Sequence, residues 1–221
     1  LAGYSSWYNR YQDISQKTII EDLEGCRRIL QKGDLFQIDD GWEVAVGEWE
    51  QDKKKFPSSM KEIVDEIHKS GYLSGLWLAP FVVEEKSRIF KEHKDWLLEI
   101  DGEKFKCGCN WSGFWALDID NVEVQEYLKR VFKTVYEDWG FDLVKLDFLY
   151  AAAPKAKSNE TRSQRMNRAM DFLLSLSKDK LILGCGVPLA SAFGRTQYCR
   201  VSCDVTLDWD DKIWMKLIHS E

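Results

Sequence analysis

The chain has 221 residues, of which 44% are hydrophobic, and its 31 Lys and Arg against 37 Asp and Glu leave a formal charge of -6. This apolar content is enough for one substantial core and excludes a disordered or fibrous chain. The acidic balance argues against a nucleic-acid partner. No uncharged apolar run approaches the roughly 20 residues that span a bilayer, so no membrane partner is expected either.

Six cysteines are spaced in a way that matches neither a zinc site nor a dense set of disulfides: 26, 107, 109, 185, 199 and 203. We therefore expect reduced thiols in a cytoplasmic protein without a metal. The chain starts at Leu1 and ends at Glu221 within a helix-like segment, so we expect it to be a piece of a longer protein.

Short apolar or aromatic runs of strand length recur along the whole chain. They predict strands at residues 3–8, 35–39, 73–81, 115–119, 142–149, 181–187 and 198–203. Segments with helical periodicity lie between most of them, at residues 15–31, 59–71, 121–140, 163–177 and 211–219. Ser59 with Glu62 predicts a capping box for the second helix, and Asn121 predicts the cap of the third.

Regular alternation of strands and helices indicates parallel βαβ units, which form either a doubly wound sheet or a barrel. No predicted strand is followed by a GxGxxG or GxxxxGK[ST] turn, so a nucleotide-binding open sheet loses support. We therefore predict an α/β fold, a (β/α)8 TIM barrel that is incomplete, with about seven strands in this chain.

Charged residues follow four of the predicted strands, at the end where such barrels build their active sites. These residues are Asp39 and Asp40, Asp118 and Asp120, Lys145 and Asp147, and Arg200 and Asp204. Asp118 and Asp120 lead directly into the Asn121 cap, so we interpret both as structural. The other three pairs are candidate site residues.

Side chains two or four positions apart on a strand point to the same face, so Lys145 can share a cavity with Asp147, and Arg200 with Asp204. A buried lysine needs a partner. A nearby cation favours an ionised carboxylate, which suits Asp147 as a nucleophile or base. A second carboxyl must stay protonated to act as an acid, and mutual repulsion between two facing carboxyls achieves this.

Six motifs, in order along the chain, resemble the catalytic barrel of glycoside hydrolase family 36, the microbial α-galactosidases: GYSSWY, FQIDDGW, SGLWLAPF, LVKLDFLY, LILGCGVPL and CRVSCD. The resemblance implies a retaining hydrolase that removes terminal α-linked galactose from oligosaccharides such as melibiose and raffinose. It implies a covalent galactosyl-aspartate intermediate and no cofactor. Family members usually carry flanking β-domains and an eighth strand, so residues 1–221 are expected to be the catalytic barrel domain without them.

The resemblance also implies a role for individual residues. Asp147 corresponds to the nucleophile and Asp204 to the general acid/base, while Asp39 and Asp40 correspond to the pair that binds the galactose 4- and 6-hydroxyls. Further residues are expected to bind the sugar or line its pocket: Trp77, Lys145, Cys185, Arg200, and the aromatic pair Trp7 and Tyr8.

Several alternatives stay open at the level of sequence. The same fold and intermediate serve a raffinose-type galactosyltransferase or an α-N-acetylgalactosaminidase, and a homo-oligomer is one of the states open to the full-length protein. An inactive galactoside-binding barrel is disfavoured by the presence of both Asp147 and Asp204. A Mg²⁺ enzyme that uses Asp39, Asp147 and Asp204 is disfavoured because Lys145 and Arg200 would repel the ion.

Overall fold

The computed structural model describes residues 2–156 and 159–204. Within these ranges the strands are β1 Gly3–Ser5, β2 Leu35–Ile38, β3 Glu43–Ala45, β4 Glu48–Gln51, β5 Leu73–Leu78, β6 Val82–Glu84, β7 Glu99–Ile100, β8 Glu103–Lys104, β9 Lys106–Gly108, β10 Phe114–Ala116, β11 Leu143–Leu146, β12 Leu181–Gly184 and β13 Tyr198–Cys199. The α-helices are α1 Trp7–Arg10, α2 Gln16–Cys26, α3 Met60–Lys69, α4 Arg88–Glu92, α5 Val122–Lys133, α6 Arg162–Ser177 and α7 Leu189–Ala192. The helix predicted at 211–219 lies outside the described residues.

Six strands form one parallel sheet in the order β1-β2-β5-β11-β12-β13. The register places Lys145 of β11 opposite Trp77 of β5 on one side and Leu183 of β12 on the other. The sheet curls as half of a barrel, which confirms the predicted fold class. Because all six strands are parallel, their carboxyl ends meet at one rim, where a barrel places its site.

The prediction of a barrel strand at 115–119 is wrong. Phe114–Ala116, β10, pairs antiparallel with β6 and β9 in a separate three-stranded sheet, while β5 pairs directly with β11. The described part of the parallel sheet therefore has six strands and not seven. An apolar run of this length does not reveal its partner, because the choice between sheets depends on residues far away in the chain.

Side-chain caps start the main helices, as the sequence predicts. Ser59 and Glu62 form the capping box of α3, and the Asn121 side chain accepts a hydrogen bond from the Glu123 backbone before α5. The first predicted helix ends at Cys26 and not at residue 31, so Ile29 lies outside the helix and is 80% exposed. No helix in the described ranges combines the length and apolar character needed to cross a membrane.

One buried cation ties α6 to the segment that precedes α5. Arg165 is 1% exposed and donates hydrogen bonds to the Ala152 carbonyl at 2.7 Å and to Asp118 Oδ1 at 2.7 Å. It also binds the Asp120 carboxylate. Asp118 and Asp120 therefore bind a structural arginine, in keeping with their interpretation from the sequence.

Replacing Arg165 by methionine is expected to lower the free energy of unfolding by about 3 kcal/mol, because the Ala152 carbonyl and two carboxylates lose their buried donor. Arg168 is the matched control, since it lies one turn further along α6 and pairs with Asp120 and Glu160 at the surface. Arg168→Met should cost less than about 1 kcal/mol. Urea unfolding of the full-length protein measures both, and equal losses would contradict the assignment.

Candidate active site

A cavity of about 200 Å³ opens at the carboxyl rim of the parallel sheet. Its lining residues come from strands β5 and β11, from helix α1 and from loops that connect or follow the strands and helices: Trp7, Gln12, Asp39, Asp40, Trp77, Asn110, Trp111, Lys145, Asp147, Phe148 and Asp204. The structure thus brings together seven of the ten residues proposed from the sequence. Tyr8 and Arg200 contact Asp204 without lining the cavity, and Cys185 does not line it either.

The floor of the cavity is a buried ion pair. Lys145 Nζ lies 2.8 Å from Asp39 Oδ2, which also accepts a hydrogen bond of 2.6 Å from Gln37. Burial disfavours the charge of Lys145, but the carboxylates of Asp39 and Asp147 outweigh it and raise the pKa of the ammonium group. Lys145 therefore stays protonated between two carboxylates at neutral pH.

Asp40 is held by two donors that the strand pattern does not predict. Gln12 Nε2 and Trp111 Nε1 donate to Asp40 Oδ2 at 2.7 and 2.9 Å. Gly41 has φ 110°, and a Cβ at this position would lie 2.8 Å from the Gln12 carbonyl oxygen. Only glycine lets the loop after β2 approach Gln12 this closely.

Asp147 follows β11 directly and its carboxylate is fixed at both oxygens. Phe148 N donates to Oδ1 at 2.8 Å, and Trp77 Nε1 donates to Oδ2 at 3.2 Å. Phe148 has φ 52°, a left-handed conformation that costs on the order of 1–3 kcal/mol in a residue other than glycine. Such strain is concentrated at functional sites, where it fixes a side chain or a backbone donor.

Asp204 accepts two hydrogen bonds at one oxygen. The Tyr8 hydroxyl lies 2.9 Å and Arg200 Nη1 lies 2.5 Å from Asp204 Oδ1. Burial, reinforced by the hydrogen bond to Asp204, raises the pKa of Tyr8, so the phenol stays neutral and donates. Tyr8 and Arg200 do not line the cavity themselves, but they orient Asp204, which does.

Cys185 directly follows β12 and is buried. Burial, together with the nearby Asp147 carboxylate, raises the pKa of its thiol to about 12, so the thiol is neutral at neutral pH. The charge of Asp147 acts on Cys185, but Cys185 is not one of the residues that line the cavity. Within the described ranges, no group of three or more His, Cys, Asp or Glu side chains could hold a metal ion.

Four lining residues were absent from the site proposed from the sequence. Gln12 and Asn110 lie in loops and carry no motif, so no pattern could have found them. Trp111 was not among the residues proposed from the sequence, although it is one of the two donors to Asp40 Oδ2. Phe148 offered a signal, because it follows Asp147 inside the motif LVKLDFLY.

Residues 4–181 match the family model described as melibiase. Alpha-galactosidase Mel36A of Lactobacillus acidophilus is 25% identical over 150 residues, which cover 65% of this chain and 20% of that protein. The bifunctional alpha-galactosidase/sucrose kinase AgaSK of Mediterraneibacter gnavus is 27% identical over 191 residues, which cover 82% of this chain and 20% of that protein. The chain spans about a fifth of the length of these curated relatives.

Solved structures show the same architecture. TtGalA, an alpha-galactosidase from Thermus thermophilus in complex with stachyose, is 33% identical with a TM-score of 0.85, covering 97% of this chain and 47% of that one. The same enzyme has also been solved with p-nitrophenyl alpha-D-galactopyranoside. The GH36 alpha-galactosidase AgaA of Geobacillus stearothermophilus is 19% identical with a TM-score of 0.73, and the match covers 91% of this chain and 30% of that one. At this identity the similarity shows a shared fold only.

Proposed function

The chain belongs to the melibiase family, and we propose that it carries the catalytic residues of a retaining α-galactosidase. The observation that carries the proposal is the cavity, which combines two candidate catalytic carboxylates, Asp147 and Asp204, with the buried pair of Lys145 and Asp39. A retaining glycosidase needs two such carboxyls, one to attack and one to donate a proton. The known relatives, which are alpha-galactosidases, support the choice of sugar.

In the proposed mechanism, Asp147 attacks the anomeric carbon of galactose while Asp204 protonates the departing glycosidic oxygen. The products of this step are the free leaving group and a galactosyl ester of Asp147. Asp204 then removes a proton from water, which attacks the same carbon and releases galactose with its original configuration. The donors on Asp147, Trp77 Nε1 and Phe148 N, hold the attacking carboxylate in one orientation.

Specificity for galactose is proposed to come from Asp39 and Asp40, which bind the 4- and 6-hydroxyls. Both carboxylates are almost completely buried. A buried acceptor that finds no hydroxyl costs binding energy, so an epimer whose 4-hydroxyl points elsewhere is rejected. The cavity is smaller than the roughly 300–1,000 Å³ of pockets that bury drug-sized ligands, which fits one sugar ring at a time.

Hydrolysis of p-nitrophenyl α-galactoside by the full-length protein tests the proposal, with the α-glucoside and the α-N-acetylgalactosaminide as matched controls. We expect cleavage of the galactoside, with α-galactose as the first product seen by NMR. β-Galactose as the first product would contradict retention. Galactose binding without cleavage would instead favour a binding barrel, and transfer to added sucrose in preference to water would favour a galactosyltransferase.

A further inference from the structure

Glu43 lies against the cavity residue Asp40 and has no assigned role. It is the first residue of β3, is 8% exposed, and accepts a hydrogen bond of 3.3 Å at Oε2 from Gly41 N. Because Gly41 directly follows Asp40 in the chain, this hydrogen bond brings the Glu43 carboxyl group close to Asp40, whose charge acts on it. Two buried carboxyl groups therefore meet at the base of the sugar site.

The hydrogen bonds of Asp40 are unequally distributed between its two oxygens. Oδ2 accepts from both Gln12 and Trp111. Oδ1 is buried, and the described residues supply it with no donor if every carboxyl is ionised. A buried acceptor without a donor is costly, so a donor to Asp40 Oδ1 is expected in the native protein.

Within the described ranges, neither Asp40 nor Glu43 forms a salt bridge with a lysine or an arginine. The ammonium group of Lys55 approaches the same loop, but it binds the backbone carbonyls of Gln12 and Gly41. Two adjacent carboxylates without a counterion cannot both stay ionised at low cost, and the usual solution is one shared proton.

We propose that Glu43 is a carboxylic acid in the native protein, that its hydroxyl donates to Asp40, and that it thereby positions Asp40 for a galactose hydroxyl. Glu43 is then a positioning residue, because it acts on the sugar through Asp40. The role in sugar binding rests on the proposed function, whereas the shared proton does not.

The electrostatic environment supports this assignment. Burial, with the neighbouring Asp40 charge as the next cause, raises the pKa of Glu43 well above its ordinary value. Gln12, Trp111 and Glu43 then supply three donors to the carboxylate, and the pair of acids carries one negative charge. Asp40 can therefore accept from a sugar hydroxyl without turning away from the cavity.

Two substitutions separate a shared proton from mere packing. Glu43→Gln keeps both contacts, since its amide can donate to Asp40 and accept from Gly41, whereas Glu43→Ala removes the donor. We expect Glu43→Ala to raise KM for p-nitrophenyl α-galactoside about 10- to 100-fold with a smaller change in kcat. Without the hydrogen bond from Glu43, Asp40 binds the sugar less well in the substrate complex and in the transition state alike. Glu43→Gln should recover most of this loss.

Infrared difference spectroscopy of the full-length protein reads the proton directly. At neutral pH the wild type minus Glu43→Gln spectrum should contain the carbonyl band of a protonated carboxyl group. The matched control is Glu50→Gln, because Glu50 lies on the neighbouring strand β4 and pairs with Arg88 at the surface. Its difference spectrum should contain the bands of an ionised carboxylate instead.

The outcomes distinguish the two proposals. A carboxylate band for Glu43, or a Glu43→Gln variant as defective as Glu43→Ala, would overturn the inference even in an active galactosidase. A protonated band in a protein that neither cleaves α-galactosides nor binds galactose would support the shared proton and overturn the role in sugar binding. The band together with recovery by glutamine supports the inference in full.

Discussion

Replacing Asp147 by alanine is expected to lower kcat for p-nitrophenyl α-galactoside by about 10³-fold or more, because in the proposed mechanism its carboxylate forms the covalent intermediate. The cavity itself should persist, since the Asp39 and Lys145 pair below it stays intact. Galactose binding by Asp147→Ala should therefore be retained. Asp65, an exposed aspartate on α3, gives the control Asp65→Ala, which should leave kcat unchanged.

The stereochemistry of chemical rescue tests the role of Asp147 more sharply than the loss of rate. In Asp147→Ala, added azide can enter the space left by the carboxylate and attack the anomeric carbon of an activated aryl galactoside. The product should be β-galactosyl azide, the inverted anomer, because a single displacement replaces two. Formation of the α-anomer would show that another residue is the nucleophile.

Replacing Asp204 by alanine is expected to produce a loss that depends on the leaving group. Melibiose needs protonation of its departing sugar, so kcat/KM should fall by about 10³-fold. The leaving group of a dinitrophenyl galactoside is dinitrophenolate, which departs without a proton, so kcat/KM for this substrate should change little. Its kcat should fall, because water then attacks the intermediate without a general base. Steady-state kinetics on both substrates measures this contrast.

Azide should also rescue Asp204→Ala, but the galactosyl azide should have the opposite anomeric configuration to the product of Asp147→Ala. In the proposed mechanism the galactosyl ester of Asp147 still forms in this variant and azide attacks it in place of water, so the product should be α-galactosyl azide. The control is Tyr8→Phe, which removes one hydrogen bond to Asp204 but keeps the carboxyl group. It should not become dependent on azide, and equal losses on melibiose and the dinitrophenyl substrate in Asp204→Ala would contradict its role as an acid.

The longer helices α2, α3, α5 and α6 and the parallel strands could be predicted from local patterns, whereas the short helix α1 begins within the segment predicted as the first strand. Ser59 and Asn121 cap the helices that the spacing of apolar residues predicts, because a cap needs only a few neighbouring residues. The alternation of side chains along a strand likewise predicted that Lys145 and Asp147 face the same way, and both line the cavity. These features depend on contacts within one element.

Features that depend on packing between distant segments could not be predicted from local sequence patterns. The pairing of β10 with β6 and β9, the approach of Gln12 to Gly41, and the hydrogen bond from Trp111 to Asp40 each join residues of different elements. The proximity of Glu43 to Asp40 depends on how the loop after β2 folds back. A tryptophan or a glutamate has the same local pattern in a core, on a surface or at a site, so its partners decide its role.

The sequence by itself therefore determined the class of fold, the rim at which charged residues collect, and the family whose motifs they match. The tertiary structure alone decided which strands share the sheet, which side chains border the cavity and which lie behind it. The physical reason is the range of the interactions involved. Periodicity, capping and side-chain alternation act over a few residues, whereas burial and the hydrogen bonds to a buried carboxylate are set by segments brought together only when the chain packs.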